Sequence, residues 1–306
     1  MNAVDSRKGG APKRRTVQGV IGTGILLALG LLGAAFVYRW IAALRAGEPH
    51  RFPVPTAYDA FVGLVTDFFD TLGVGSFATT TSLLRLRKVV PDRLIPGTLN
   101  VGHTIPTLAQ AFIYVAIVRV DGRTLALMIA ASVAGAWLGA GFVSAWPKRR
   151  IQLGLGVALV AAASMLCAQL FHVLPAGGDA LALRGARLAL AIGGNFVLGA
   201  CMTLGVGLYG PCMVLVSLLG MNPTAAFPIM MGSCAFLMPV ASERFVARGA
   251  YAPGAALGLT IGGLPGVLVA AWIVRSLPLD AVKWLVVVVV LISAFSLLRA
   301  AAHEDR

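Results

Sequence analysis

Charge is what this chain has least of: 12% of its 306 residues are Asp, Glu, Lys or Arg, against 58% hydrophobic. A soluble domain has about a quarter of its residues charged, and so sparse a set leaves far more apolar surface than a fold of this length can bury. A soluble globular protein is excluded, and the chain reads as an integral membrane protein. Long polar intervals are missing as well. Apolar stretches able to cross a ~30 Å hydrocarbon core follow one another along nearly the whole length, so any function has to lie within the bundle. There is no G-x-x-x-x-G-K-S/T phosphate loop, so a nucleotide is not the energy source. Cysteine is scarce too: Cys167, Cys201, Cys212 and Cys234 lie in apolar surroundings with no C-x-x-C spacing and read as buried thiols. No metal and no other cofactor is expected.

Acidic residues number 12 against 25 basic, a formal net charge of +13. In a soluble protein this would suggest nucleic acid. Here many of the basic residues fall in three clusters beside apolar segments: Arg7, Lys8, Lys13, Arg14 and Arg15; Arg85, Arg87, Lys88 and Arg93; Lys148, Arg149 and Arg150. Cytoplasmic loops retain Lys and Arg, so the clusters place the amino terminus and the 85–93 and 147–150 loops inside. The implied partner is a lipid bilayer, and no nucleic acid is expected.

What is abundant is glycine-broken apolar sequence, and it occurs twice. Shifted by 132 residues, Gly73-Val-Gly75 falls on Gly205-Val-Gly207, Phe77 on Tyr209, Pro91 on Pro223 and Pro96 on Pro228; with a one-residue gap, Pro106 falls on Pro239. The expected fold is all-α and polytopic, with about nine spanning segments: one leading helix and a duplicated four-helix unit. Residues 1–16 form a basic cytoplasmic tail, 17–44 the leading helix, 56–174 the first repeat, 175–185 a Gly/Pro-containing linker and 186–299 the second repeat. The segment from Thr56 to Leu86 would run about 45 Å if continuous. That overshoots the membrane, so the Gly73-Val-Gly75 break is expected to divide it into two half-helices. An even number of spans per repeat implies a parallel duplication. Arg244 and Arg248 would then fall outside, which leaves an inverted arrangement open.

A broken helix in a bilayer bares backbone N–H groups, and these can receive an anion without a fixed cation. Gly73 and Gly75 permit close approach, and Ser76, Thr79, Thr80 and Thr81 follow as hydroxyl donors. In the second copy Gly205, Gly207, Tyr209 and Gly210 take corresponding places. Asn100, His103 and Thr107 share one face of the third segment, and an imidazole there would serve as an anion ligand, a proton carrier or an interhelical hydrogen-bonding group. Asp67 and Asp70 lie one turn apart. Carboxylates at that depth are costly; they pair with a base such as Arg39 or, with His103, act as a proton-coupling set. Glu243, beside Arg244 at a helix end, reads as an interface residue.

With these breaks and the phrase Val90-Pro-Asp-Arg-Leu-Ile-Pro-Gly-Thr-Leu-Asn-Val-Gly-His103 in view, the chain resembles the sulfite exporter TauE/SafE family of permeases over most of its length beyond the leading helix. The resemblance implies a duplicated four-helix unit with a glycine-rich motif early in each half, and transport of sulfite, a sulfonate or a related organic anion. The chain is expected to be a secondary transporter and not an enzyme, with a small anion as substrate and protons as a candidate coupling ion. Export is the cheaper direction for an uncoupled anion, at ~2.3 kcal/mol per charge per 100 mV of inside-negative potential. Two other classes stand beside it: an intramembrane enzyme using Cys212, His103 and Asp70, and a sulfur-handling partner using Cys201, Cys212 or Cys234. A homo-oligomer is left open.

Overall fold

The computed structural model describes residues 11–46, 54–143, 178–202, 208–276 and 279–303, with scattered positions between 149 and 171. Among these the chain is helical, and the one bridge outside the helices is an isolated parallel pairing of Ala180 with Met221. The helices are α1 (Ala11–Ala46), α2 (Ala57–Thr71), α3 (Phe77–Leu86), α4 (Ile95–Ile117), α5 (Gly122–Val143), α6 (Gly185–Met202), α7 (Tyr209–Leu218), α8 (Ala226–Ala247), α9 (Pro253–Ser276) and α10 (Leu279–His303). Three described segments are long and apolar enough to cross a membrane: Val20–Arg45, Pro223–Ala247 and Pro253–Ile273. The segment expected at about 151–174 lies largely outside the described residues.

The break at Gly73-Val-Gly75 is present, and its cause is local. A capping box starts α2: the Asp59 N–H donates to Thr56 Oγ1 and the Thr56 N–H donates to Asp59 Oδ2, each at 3.1 Å. At its other end the Val74 N–H reaches the Phe69 carbonyl (3.0 Å) and the Gly73 N–H the Asp70 carbonyl (2.8 Å). This pair of bonds is a Schellman ending, which requires a left-handed residue at Gly73, where φ is +98°. Gly75, at φ +86°, turns the chain a second time before α3 begins. At ~1.5 Å per residue, α2 and α3 are about 22 and 15 Å long, so neither crosses the hydrocarbon alone and the break lies between them.

Three helix pairs carry the packing: α2 on α9, α5 on α6, and α4 on α8. Glycine lets the first pair approach backbone to backbone, since a Cβ on Gly262 would collide with the Ala60 carbonyl and one on Gly266 with the Leu64 carbonyl. Pro106 inside α4 has no N–H to give, which frees the Gly102 carbonyl one turn back. Thr260 of α9 supplies the missing donor at 2.7 Å, so the proline is tolerated and also ties α4 to α9. The outside is apolar and the inside partly polar: Leu31, Trp137, Trp272 and Phe295 are exposed, while Asp67, His103, Thr104 and Gln110 are fully buried. That inversion fits a protein whose solvent is lipid.

Candidate functional site

Two carboxylates, an imidazole and a carboxamide meet beside the helix break. Asp67 and Asp70 project from the last turns of α2, and His103 and Gln110, seven residues apart, from one face of α4. Nδ1 of His103 lies 2.9 and 3.0 Å from the two oxygens of Asp67, and both side chains are completely buried. Its Nε2 lies 3.0 Å from Thr80 Oγ1 on α3. An ionised Asp67 only accepts, so Nδ1 carries the proton it receives, and in a neutral ring Nε2 then accepts from Thr80. A further proton converts the pair to imidazolium and carboxylate, reverses the Thr80 bond and cancels the net charge.

Asp70 is held differently. Its Oδ2 accepts from Gln110 Nε2 at 2.9 Å and from the Tyr209 hydroxyl at 3.3 Å, and Tyr209 also lies 3.2 Å from Gln110 Oε1. Ser76, the residue before α3, stands beside the same carboxylate with its N–H and its hydroxyl. The first bare donors of α3 thereby face an anion the chain carries itself. Thr71 joins the two groups: its hydroxyl donates to the Asp67 carbonyl (2.6 Å) and accepts from Gln110 (3.0 Å), while Tyr114 donates to its carbonyl (3.1 Å). The result is one connected network spanning α2, α3, α4 and α7.

Space for it is made by residues without side chains. A Cβ on Gly263 of α9 would run into Asp67 Oδ2 and stand 2.7 Å from Pro106. At the break, a Cβ on Gly73 would come within 2.5 Å of the Met213 methyl, whereas one on Gly75 would meet nothing within 4 Å among the described residues. The Gly75 backbone is therefore where the break can be approached.

The expected residues divide accordingly. Asp67, Asp70, Ser76, Thr80, His103 and Tyr209 come together, and Tyr209 reaches the first half's aspartate instead of serving a separate second copy. Asn100 is only half-buried and bonds the Pro96 carbonyl of its own helix (2.9 Å), and Thr79 is exposed and bonds the Ser76 carbonyl (2.8 Å). Gly210 is buried as the second residue of α7. Gly205, Gly207 and the side chain of Cys201 lie outside the described residues. Arg39 does not pair with either aspartate; it meets Glu243 at 2.9 Å near the surface. Neither ring nitrogen of His103 is engaged by Cys212 or Asp70, as a nucleophile–base–orienter triad would need. Gln110, Tyr114, Thr71 and Gly263 were not anticipated. The first two continue the stripe of His103 and Thr107 at i+7 and i+11, a periodicity legible in the sequence. Among the described residues no three His, Cys, Asp or Glu side chains are grouped to hold a metal. Compared with known proteins, the chain matches no protein-family model, no curated protein and no solved structure.

Proposed function

We propose that the chain is a secondary transporter of a small sulfur-containing or organic anion across a bacterial inner membrane, coupled to protons through Asp70 and the Asp67–His103 pair. The resemblance of the Val90–His103 phrase and the paired glycine breaks to the TauE/SafE permeases supports the anion class. The observation that carries the coupling is the buried network at a break between two half-span helices, because ionisable groups at that depth mark ion and proton pathways. Nine spans in a duplicated arrangement, with the amino terminus inside, complete the proposal. In support of the duplication, α3 and α7 are both ten residues long and start at Phe77 and Tyr209, and the pairing of α2 with α9 has its counterpart in that of α6 with α5.

The mechanism follows from who holds the Ser76 donors. While Asp70 is ionised it occupies them and repels a second anion. Once protonated it releases them, and an anion approaching along Gly75 takes its place, with Thr80 and Tyr209 within reach as further donors. Anion and proton then bind together, and the two gradients jointly set the direction of net flux.

Reconstitution in proteoliposomes tests this reading, with sulfite, thiosulfate, a short sulfonate and a carboxylate control offered with and without a pH gradient. The expected result is selective flux of a sulfur anion that Gly75→Leu removes, because the new side chain enters the space at the break and strains the φ +86° turn there. Folded protein that carries no member of the panel would overturn the anion assignment.

A further inference from the structure

Tyr58, in the first turn of α2, donates its hydroxyl to the carbonyl of Leu83, near the end of α3, at 2.8 Å. The Arg87 guanidinium lies 4.3 Å from the centre of the same ring. Were α2 and α3 collinear, Tyr58 and Leu83 would stand about 37 Å apart at ~1.5 Å per residue. The chain therefore doubles back at Gly73-Val-Gly75, and both ends of this segment lie at one level. The second broken segment does the same. A Cβ on Gly194, midway along α6, would stand 2.7 Å from the Leu215 side chain of α7. Beyond the helices, the Ala180 N–H donates to the Gly220 carbonyl (3.4 Å) and the Ala180 carbonyl accepts from the Asn222 N–H (2.9 Å), which ties the two ends together.

The two bases are separated by the length of α4. At its start, Ile95 packs in one apolar cluster with Tyr58 and Leu84. Just past its end, the Asp121 N–H donates to the Leu181 carbonyl (2.8 Å) and Thr124 Oγ1 accepts from the Leu183 N–H (3.2 Å). The 23 residues of α4 extend about 34 Å, the thickness of a hydrocarbon core. Between the bases the far ends meet: Tyr209 of α7 reaches Asp70 of α2, and Met213 lies against Gly73. Along α4, Thr98, Thr104 and Tyr114 meet Ala252, Ser242 and Phe227 in turn, so α4 and its counterpart α8 run antiparallel. Equivalent helices that run in opposite directions are related by an axis in the membrane plane and not by one along its normal.

We propose that the two broken segments are re-entrant hairpins that enter the membrane from opposite faces and meet tip to tip at the Asp70 network, within an inverted repeat. Each repeat then holds one hairpin and three crossings, counting the segment expected at 151–174, and this odd number inverts the second copy. The nine membrane segments thus comprise seven crossings and two returns. Arg244 and Arg248, which a parallel duplication would put outside, come to the face of the Arg85–Arg93 cluster, because the chain just beyond α8 bonds the start of α4. One consequence rests on the transport reading: the network is covered toward each face by a different hairpin, so withdrawal of one tip opens it to that face while the other stays closed.

Sidedness of introduced cysteines tests this without any transported anion, so its failure is distinct from a failure of the anion reading. Val54→Cys and Lys88→Cys mark the two ends of the first hairpin, Asp179→Cys and Leu218→Cys those of the second, and all four positions are exposed. Each full-length variant is labelled with a membrane-impermeant maleimide in right-side-out and in inside-out vesicles, with the wild-type chain as background and detergent-opened vesicles giving full reactivity. Monodisperse elution shows that the fold survives, and Leu86→Cys and Leu181→Cys, also exposed, repeat the reading from neighbouring positions. The expected result is that Val54→Cys and Lys88→Cys label in one orientation and lose labelling in the other, while Asp179→Cys and Leu218→Cys show the reverse. Labelling of Val54→Cys and Lys88→Cys from opposite faces would overturn the hairpin, and labelling of all four from one face would overturn the inversion.

Discussion

Where α2 crosses α9, Gly266 lies against the Leu64 carbonyl and Gly263 against the Asp67 carboxylate; where α5 crosses α6, Gly135 lies against the Phe196 carbonyl and Gly199 against the Ser132 backbone. Leu64 and Phe196 stand 132 residues apart, as do Asp67 and Gly199. The two crossings are packed alike, and only one is ionisable. At the first, the glycine on α9 makes room for a carboxylate that meets His103. At the second, the position equivalent to Asp67 is itself the glycine, and the buried polar groups are neutral: Asn195 donates to the Met128 carbonyl at 2.7 Å, while Ser132 Oγ and Asn195 Oδ1 lack a hydrogen-bond partner among the described residues. Glycine at these crossings is therefore a packing device, and the chemistry depends on what occupies the space it opens.

The largest effects should fall equally on both crossings. Gly266→Val and Gly135→Val each drive a side chain into a facing backbone carbonyl, which cannot turn away as a side chain could, so neither variant should yield monodisperse protein on size-exclusion chromatography. Tolerance of either one would show that the helices can separate at that crossing.

The next effect separates them. His103→Ala leaves Asp67 buried without its partner and should cost about 3–5 kcal/mol of unfolding free energy. The double variant Asp67→Leu/His103→Leu, which removes both charges, should recover most of that loss while abolishing proton-coupled flux. If the double variant were no more stable than the single, the cost would lie in packing and not in the stranded charge. At the neutral crossing Ser132→Ala removes an unpartnered hydroxyl and should change stability by less than about 1 kcal/mol, in the stabilising direction. A clear destabilisation there would mean that the hydroxyl has a ligand.

Smaller still is Tyr209→Phe. Its bonds to Asp70 and Gln110, at 3.3 and 3.2 Å, are long, so roughly 1 kcal/mol of stability is expected to go. Its kinetic effect is predicted to be a raised KM for the anion at unchanged maximal flux. Smallest is Arg39→Gln: the Arg39 side chain of this ion pair is 66% exposed, and the loss should stay below about 0.5 kcal/mol and vanish in high salt.

The sequence carried local information well and tertiary information poorly, and the site shows why. Gly73 and Gly75 are legible because a left-handed turn needs residues without Cβ, and the break appears where they stand. The length of the Thr56–Leu86 segment independently demanded an interruption. Asp67 and Asp70 could be recognised as costly in a bilayer, but their partners could not be chosen: His103 lies 36 residues from Asp67, and Gln110 lies 40 from Asp70. Arg39 was an equally reasonable counter-ion until the packing of α1 on α8 carried it to Glu243. Gly263 is one of several glycines on α9, and nothing local separates it from Gly262 or Gly266.

The central claim is that Asp70 competes with the transported anion for the same donors and yields them only when protonated. Simultaneous recording of anion entry and internal pH in proteoliposomes addresses it directly, once a transported anion is in hand. For the wild type, each anion is predicted to enter with one proton and flux to fall as external pH rises. Asp70→Asn, which keeps the shape but cannot ionise, should carry the anion without proton movement and without pH dependence. Unchanged proton-to-anion stoichiometry in Asp70→Asn would contradict the account.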